Sequence, residues 1–237
     1  MTNSTPAAQA APVLDSYEHL PGLMSLMTGD EKHSFAATST LDVLWVLYDR
    51  VLRVGPETAD LEERDRFLLS KGHGPMAYYA VLAAKGFIPP SVLETFGRYD
   101  SPLGMHPDRN LVTGVEIASG SLGHGLPLAI GMALALRARV VSNARLFCLL
   151  GDAEFDEGSN HEAISVAARE SLDALAAVVI DNQSSSRGWP GGVAARFEVE
   201  GWSVATVDGR DHDEIESALV LEHPGRPHAV VARVEPK

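Results

Sequence analysis

From Ser39 the stretch STLDVLWVLYDRVLRV places Leu41, Leu44, Trp45, Tyr48, Val51 and Leu52 at steps of three and four. That spacing predicts an amphipathic helix with one inward face. A short apolar run, RFLLS, then breaks at KGHGP, and PMAYYAVLAAKGF predicts a second helix that Gly86 closes in a left-handed cap. LGHGLPLAIGMALALRARV reads as a further helix, whose Gly and Ala permit a close neighbour. Beyond it, strand-length apolar runs alternate with helical ones: strand RLFCLLGD, helix GSNHEAISVAARES, strand LAAVVIDN, a Gly/Ser loop, helix VAARFEVEG, strand WSVATVDG, helix HDEIESALVLE and strand PHAVVARVE. Strands apolar along almost their whole length belong to a parallel sheet covered on both faces. The alternation therefore predicts an α/β domain, doubly wound, with a mostly parallel sheet and helices on both faces. No internal repeat or interdomain linker interrupts it. The domain is expected over residues 13–237, behind a disordered arm over residues 1–12.

Composition narrows the functional classes. A chain of 237 residues makes one large domain. It is 45% hydrophobic, yet no apolar run approaches the roughly 18 residues that a membrane helix needs. A formal charge of -13 argues against a broad phosphate-binding face, so neither nucleic acid nor membrane is an expected partner. The segment MTNSTPAAQAAP lacks the basic and apolar regions of a secretory signal, and a cytoplasmic location is expected. Cys148, the single cysteine, sits within an apolar run and reads as a small buried hydrophobe.

The chemistry gathers at the strand ends. RFLLS, LFCLL and LAAVVI are followed by His73, Asp152 and Asn182, and in doubly wound sheets ligands bind outside the carboxyl ends of the strands. Mg²⁺ takes oxygen ligands in a near-octahedral shell, commonly one or two side chains completed by phosphate and water. Asp152 offers charge, Asn182 a neutral oxygen, and the backbone carbonyl of Ser184 a third ligand. The N–H groups after Gly151, at the start of a helix beginning near Glu157, would face a diphosphate with the favourable end of the helix dipole. On spacing alone a plain turn is the stronger reading, because Asp and Asn commonly end strands.

At these residues the sequence resembles the thiamine diphosphate motif, with GDAEFDEG and NHEA followed by DNQS, and in particular the diphosphate-binding half of transketolases. Further segments match that family in order: KHSFAATSTLDVLWVLY, LLSKGHGPMAYYAVL, PLGMHP and ASGSLGHGLPLAIGMALA. The resemblance covers residues from about Glu31 to Val234. It implies that Asp152, Asn182 and the Ser184 carbonyl bind Mg²⁺, and that His73 and the backbone at Gly151 and Ala153 contact the diphosphate of thiamine diphosphate. It places Gly120 and Leu122 near the cofactor rings, and His33, His73 and His106 around the reacting two-carbon unit, where imidazoles exchange protons near neutral pH. Glu157 and Glu162 match acids of a carboxylate network joining two cofactor sites across a subunit interface; both also suit an ordinary first helical turn.

Two departures from the family pattern stand out. Ala153 occupies a position that is usually glycine, harmless unless φ is positive there. No pyrimidine-binding half and no further Lys/Gly-rich segment follow Lys237, which makes a sugar-phosphate substrate of the ordinary type less expected. The resemblance therefore implies one component of a split enzyme, active with a separate pyrimidine-binding chain that supplies an activating glutamate, in an α2β2 assembly. Its expected reaction is transfer of a ketol unit from a ketose-like donor to an aldehyde or other carbonyl acceptor, in specialised metabolism. The helix over residues 125–138 and the one from Glu157 are candidate interface elements, and self-association is expected. The alternatives are an α-type component of another thiamine enzyme, such as a 2-oxo acid dehydrogenase, and a degenerate regulatory partner.

Overall fold

The computed structural model describes residues 15–29, 35–72 and 74–236, without the side chains of residues 35 and 36. The expected arm over residues 1–12, together with His33 and His73, lies outside the described residues.

Five strands, β1 (Arg66–Leu69), β2 (Leu146–Gly151), β3 (Leu175–Asp181), β4 (Ser203–Asp208) and β5 (His228–Arg233), form one parallel sheet in the order β1-β2-β3-β5-β4. Among the described residues the helices are α1 (Leu20–Leu26), α2 (Phe35–Thr38), α3 (Leu41–Val46), α4 (Met76–Ala84), α5 (Pro90–Leu93), α6 (Gly125–Ala138), α7 (Gly158–Arg169), α8 (Gly192–Glu198) and α9 (His212–Leu219). Successive strand residues point to opposite faces, and they build two cores. Phe67, Leu69, Phe147, Leu149, Val178 and Ile180 pack with α1, α3, α4 and α9. Leu68, Leu146, Cys148, Leu150, Ala177 and Val179 pack with α6, α7 and Phe197 of α8. Burial of both faces is why these strands carry almost no polar residue.

The strand order explains the two layers. From β1 the chain steps through β2 and β3, passes one position to β4, then returns to fill the gap with β5. Parallel crossovers are right-handed, so reversing direction moves the connecting helix to the other face. Accordingly Ile215, Ala218 and Leu219 of α9 lie in the core opposite α6, α7 and α8.

The helix predicted from Ser39 differs in detail. Only Leu41–Val46 is α-helical; the turn widens to a π-helix over Leu47–Val51, and Leu52 is extended. Leu41, Leu44, Trp45, Tyr48 and Val51 are buried as expected, but the solvent face is confined to Asp49 and Arg50 of the π-helical turn, since every residue of α3 is buried. α3 packs against both α4 and α9. Asp42 is tolerated inside because its carboxylate accepts hydrogen bonds from the Tyr17 hydroxyl at 2.6 Å, Arg210 Nη1 at 2.6 Å and His212 Nε2 at 2.9 Å. Gly86 has a φ of 78°, the left-handed cap expected after α4.

A pH dependence follows from β5. His228 is fully buried; its Nε2 donates to the Ala218 carbonyl at 3.0 Å and its Nδ1 accepts from the Ser203 hydroxyl at 3.0 Å. Burial pushes the imidazole down from 6.5 to about 4. The unfolded chain therefore takes up this proton first. Stability from this group is complete above pH 6.5 and falls as pH drops towards 4, by about 3 kcal/mol in all. Urea unfolding at pH 7 and pH 5 measures the loss, which is expected to shrink in His228→Gln.

Candidate active site

All five strands point their carboxyl ends to one edge, and the loops there collect the chemistry. A 3-10 turn, Asp152–Asp156, separates β2 from α7, which begins at Gly158. The N–H groups directly after Gly151 thus belong to this turn rather than to the start of a helix. Its acids stand at alternate positions: Asp152 and Asp156 engage successive residues of the loop after Gln183, and Glu154 between them engages Ser70, Gly123 and Gly151.

Asp152 is 2% exposed. Its Oδ1 accepts from Ala153 N–H at 2.9 Å and the Ser184 hydroxyl at 2.5 Å, and its Oδ2 from the N–H groups of Ser184 at 2.6 Å and Ser185 at 3.1 Å. Glu154, 1% exposed, takes the Ser70 hydroxyl at 2.6 Å and Gly123 N–H at 3.0 Å on Oε1, and Gly151 N–H at 2.9 Å on Oε2. Burial raises its pKa, although these hydrogen bonds and the charge of Lys71 oppose the rise. Asp156 accepts from the Ser185 hydroxyl at 3.0 Å, Arg187 N–H at 3.2 Å, and the N–H and hydroxyl of Ser186 at 2.9 and 2.5 Å. The hydrogen bonds from Ser186 lead in lowering its pKa.

Glu154 thereby ties β1 and β2 to the glycine-rich segment, and close backbone approach completes the packing. A methyl group on Gly72 would sit 2.8 Å from the Gly120 nitrogen, and one on Gly125 would collide with Ser70. Gly120, at a φ of 127°, has the His106 ring directly against it, with Cγ 3.0 Å from where a Cβ would stand. The fold thus brings His106, Gly120 and Gly72 together, and His73 follows Gly72 in the chain. Gly123 abuts Glu157, and Ser159 donates to the Gly123 carbonyl at 2.7 Å, which fastens the segment to the first turn of α7. Replacing Glu154 by alanine leaves two buried N–H groups without an acceptor. It is expected to cost about 3 kcal/mol, read by denaturant unfolding of the folded chain.

Asn182, 4% exposed, follows β3 directly, and Gln183 next to it is held at a φ of 56°. This turn brings Ser184 onto Asp152. A cavity of about 260 Å³ opens beside it, lined by Asp152, Phe155, Gln183, Ser185, Arg187 and Trp189 among others. The donors present fit Mg²⁺: one buried carboxylate, a carboxamide and a nearby backbone carbonyl are hard oxygen ligands. Among the described residues no group of three or more His, Cys, Asp or Glu side chains forms a metal cluster. Asp152, Asn182 and Ser184 would hold the cation. Ala153 is not among the residues with positive φ, so its methyl group carries no backbone strain.

Leu122 is 41% exposed within the glycine segment, and Glu157 and Glu162 are exposed on the α7 side. Several residues of the edge escaped the motif reading: Ser70, Glu154 and Asp156, and Lys71, whose Nζ donates to the Ser39 hydroxyl at 3.1 Å. The alternating acids of DAEFD were the available signal; in the turn Asp152 and Asp156 reach one loop and Glu154 another. Ser185 and Ser186 carried no signal apart from their partner.

The model of the family described as transketolase, thiamine diphosphate binding domain, matches residues 25–233. Ferredoxin fas2 of Rhodococcoides fascians is 56% identical over 228 residues, which are 96% of this chain and 75% of that protein. A component of the apulose-4-phosphate transketolase of Actinobacillus succinogenes is 37% identical over 207 residues, 84% of this chain and 75% of its own. The 6-deoxy-6-sulfo-D-fructose transketolase subunit SqwG of a Clostridium species is 37% identical over 193 residues, 79% of this chain and 70% of its own. Among solved structures, Campylobacter jejuni transketolase superposes with a TM-score of 0.78 at 26% identity; the match covers 95% of this chain but 38% of that one. Leishmania mexicana transketolase gives 0.76 at 25%, covering 92% and 36%. The chain belongs to the transketolase family and corresponds to its thiamine diphosphate binding domain.

Proposed function

We propose that this chain is the diphosphate-binding component of a two-chain transketolase-type transferase that uses Mg²⁺ and thiamine diphosphate. The observation that carries the reading is the buried Asp152 carboxylate beside Ser184 and Asn182, on the same sheet edge as the glycine segment. Two relatives named as transketolase subunits support a division of the enzyme between chains. In this reading Asp152, Asn182 and the Ser184 carbonyl hold the cation, and His73 and the backbone at Gly151 and Ala153 meet the diphosphate. Gly120 and Leu122 flank the rings. His33, His73 and His106 donate hydrogen bonds to, and move protons at, substrate oxygens whose charge changes during transfer. Once bound and activated, the cofactor supplies a nucleophilic carbon and an electron sink for breaking and making carbon–carbon bonds. The overall reaction moves a two-carbon ketol unit from a ketose-like donor to a carbonyl acceptor.

A separate pyrimidine-binding chain supplies the activating glutamate in an α2β2 assembly. Exposed Leu122 and Leu128, with Glu157 and Glu162 on α7, offer a surface for association. The 2-oxo acid dehydrogenase alternative is not favoured, since the family model describes a transketolase domain. The test is calorimetric titration of thiamine diphosphate with Mg²⁺ into the chain alone and mixed with a pyrimidine-domain partner, followed by ketol-transfer assays. Saturable binding that strengthens on mixing, with ketol transfer only by the mixture, is the expected result. Absence of binding in both states would overturn the reading in favour of a degenerate partner. Light scattering is expected to find at least a dimer at micromolar concentration.

A further inference from the structure

The segment after Gln183 contains three consecutive serines, and the turn Asp152–Asp156 divides them between two carboxylates. Ser184 belongs to Asp152 through its N–H and hydroxyl, and Ser185 adds its N–H. The Ser185 hydroxyl, both donors of Ser186 and the Arg187 N–H belong to Asp156. The two acids stand at the first and last positions of the same turn, so the loop is gripped at two successive places on one rigid base. Asp156 is not among the residues that would ligate the cation, which leaves its grip free to serve another purpose.

Asp152 has a conflict that Asp156 does not. Both oxygens of Asp152 already accept hydrogen bonds from the loop, and a cation must take over at least part of that lone-pair capacity. If Asp152 were the only attachment, binding the ion would release the segment carrying the Ser184 carbonyl, a ligand that same ion needs. A second anchor further along the loop resolves the conflict.

We propose that Asp156 is a positioning residue, clamping residues 185–187 so that the Ser184 carbonyl stays in place when Asp152 turns its oxygens to the cation. The proposal rests on the Mg²⁺ and thiamine diphosphate reading above, but the clamp has a readout without either. The hydrogen bonds of Asp156 to a backbone turn restrict the loop's freedom before any ligand arrives, so the cofactor need not order it at the cost of its own affinity.

Residue-resolved amide exchange on the full chain, free of cofactor, tests the clamp. In Asp156→Ala, and less so in Asp156→Asn, the Ser186 and Arg187 amides are expected to exchange about tenfold faster, the worth of one charge-assisted hydrogen bond. In Asp152→Ala the same amides are expected to keep their protection. Unchanged exchange in Asp156→Ala, or its equal loss in Asp152→Ala, would overturn the clamp.

Calorimetric titration of Mg²⁺ and thiamine diphosphate into the chain with its partner then tests the positioning role. Asp156→Ala is expected to raise the cofactor Kd about tenfold, while the melting temperature shifts little. A wild-type affinity in Asp156→Ala would overturn the proposal even if the exchange result held. A wild-type protein that fails to bind the cofactor would overturn the functional reading instead, and the exchange result would still decide whether Asp156 clamps the loop.

Discussion

Asp152→Ala is expected to lose at least about 100-fold in Mg²⁺-dependent thiamine diphosphate affinity, because it removes the one carboxylate in the predicted ligand set. Asn182 and the Ser184 carbonyl are neutral, so without Asp152 the cation would face its diphosphate with no protein charge beside it. Asp152→Asn keeps the side-chain shape and one acceptor oxygen but loses the charge, and is expected to fall nearly as far. Either change also frees N–H groups of Ser184 and Ser185, but that loop is partly exposed and water replaces the acceptor. The loss should therefore register in binding rather than in folding. Calorimetry at fixed ionic strength, paired with thermal unfolding of the same samples, separates the two. Retention of affinity to within a few-fold would remove Asp152 from the cation site.

The largest stability effect is expected at the opposite edge of the sheet. Asp65, fully buried just before β1, accepts from Arg53 N–H at 2.9 Å and Nη2 at 2.8 Å, and from Arg145 N–H at 3.0 Å and Nη2 at 2.5 Å. Burial alone would raise its pKa; the hydrogen bonds from Arg53 and Arg145 outweigh that and bring it from 3.8 to about 2. Because the folded value is depressed, the stabilisation is complete above about pH 4 and disappears as pH falls through 2. Asp65→Ala leaves the Arg53 and Arg145 N–H groups without an acceptor and removes the carboxylate that the two guanidinium groups share; with those side chains 57% and 34% exposed water screens the charge, and the cost is expected to be about 3–4 kcal/mol, chiefly from the lost hydrogen bonds. Urea unfolding at neutral pH measures it. Since Asp65 lies at the amino-terminal edge, cofactor affinity of the molecules that remain folded should change little. A loss below about 1 kcal/mol would mean that water also satisfies the N–H groups that Asp65 leaves behind.

The sequence carried the fold class because its evidence is local. Runs such as LFCLL and LAAVVI are apolar at consecutive positions, as a strand buried on both faces requires, and are short and bounded by turn residues, while the helical steps of GSNHEAISVAARES are legible without neighbours. The helix from Ser39 shows where that evidence ends. Its apolar steps suggested a wet face; that face exists only at Asp49 and Arg50, while Asp42 is buried and survives there through partners at residues 17, 210 and 212. Short α1 and α5, with prolines in their first turns, gave too few periods to read. His33 and His73, named from the family motifs, lie outside the described residues.

By itself the sequence determined which residues end the strands: Asp152 after β2 and Asn182 after β3, because chain adjacency suffices to say so. It also determined that the sheet would be parallel and covered on both sides. Only the tertiary structure decided that β5 inserts between β3 and β4, that the His106 ring rests on Gly120, and that Glu154 and Asp156 hold two different loops. Those facts depend on pairings between residues far apart in the chain. Such pairings follow from which surfaces pack, and nearest-neighbour periodicity along a chain carries no record of them.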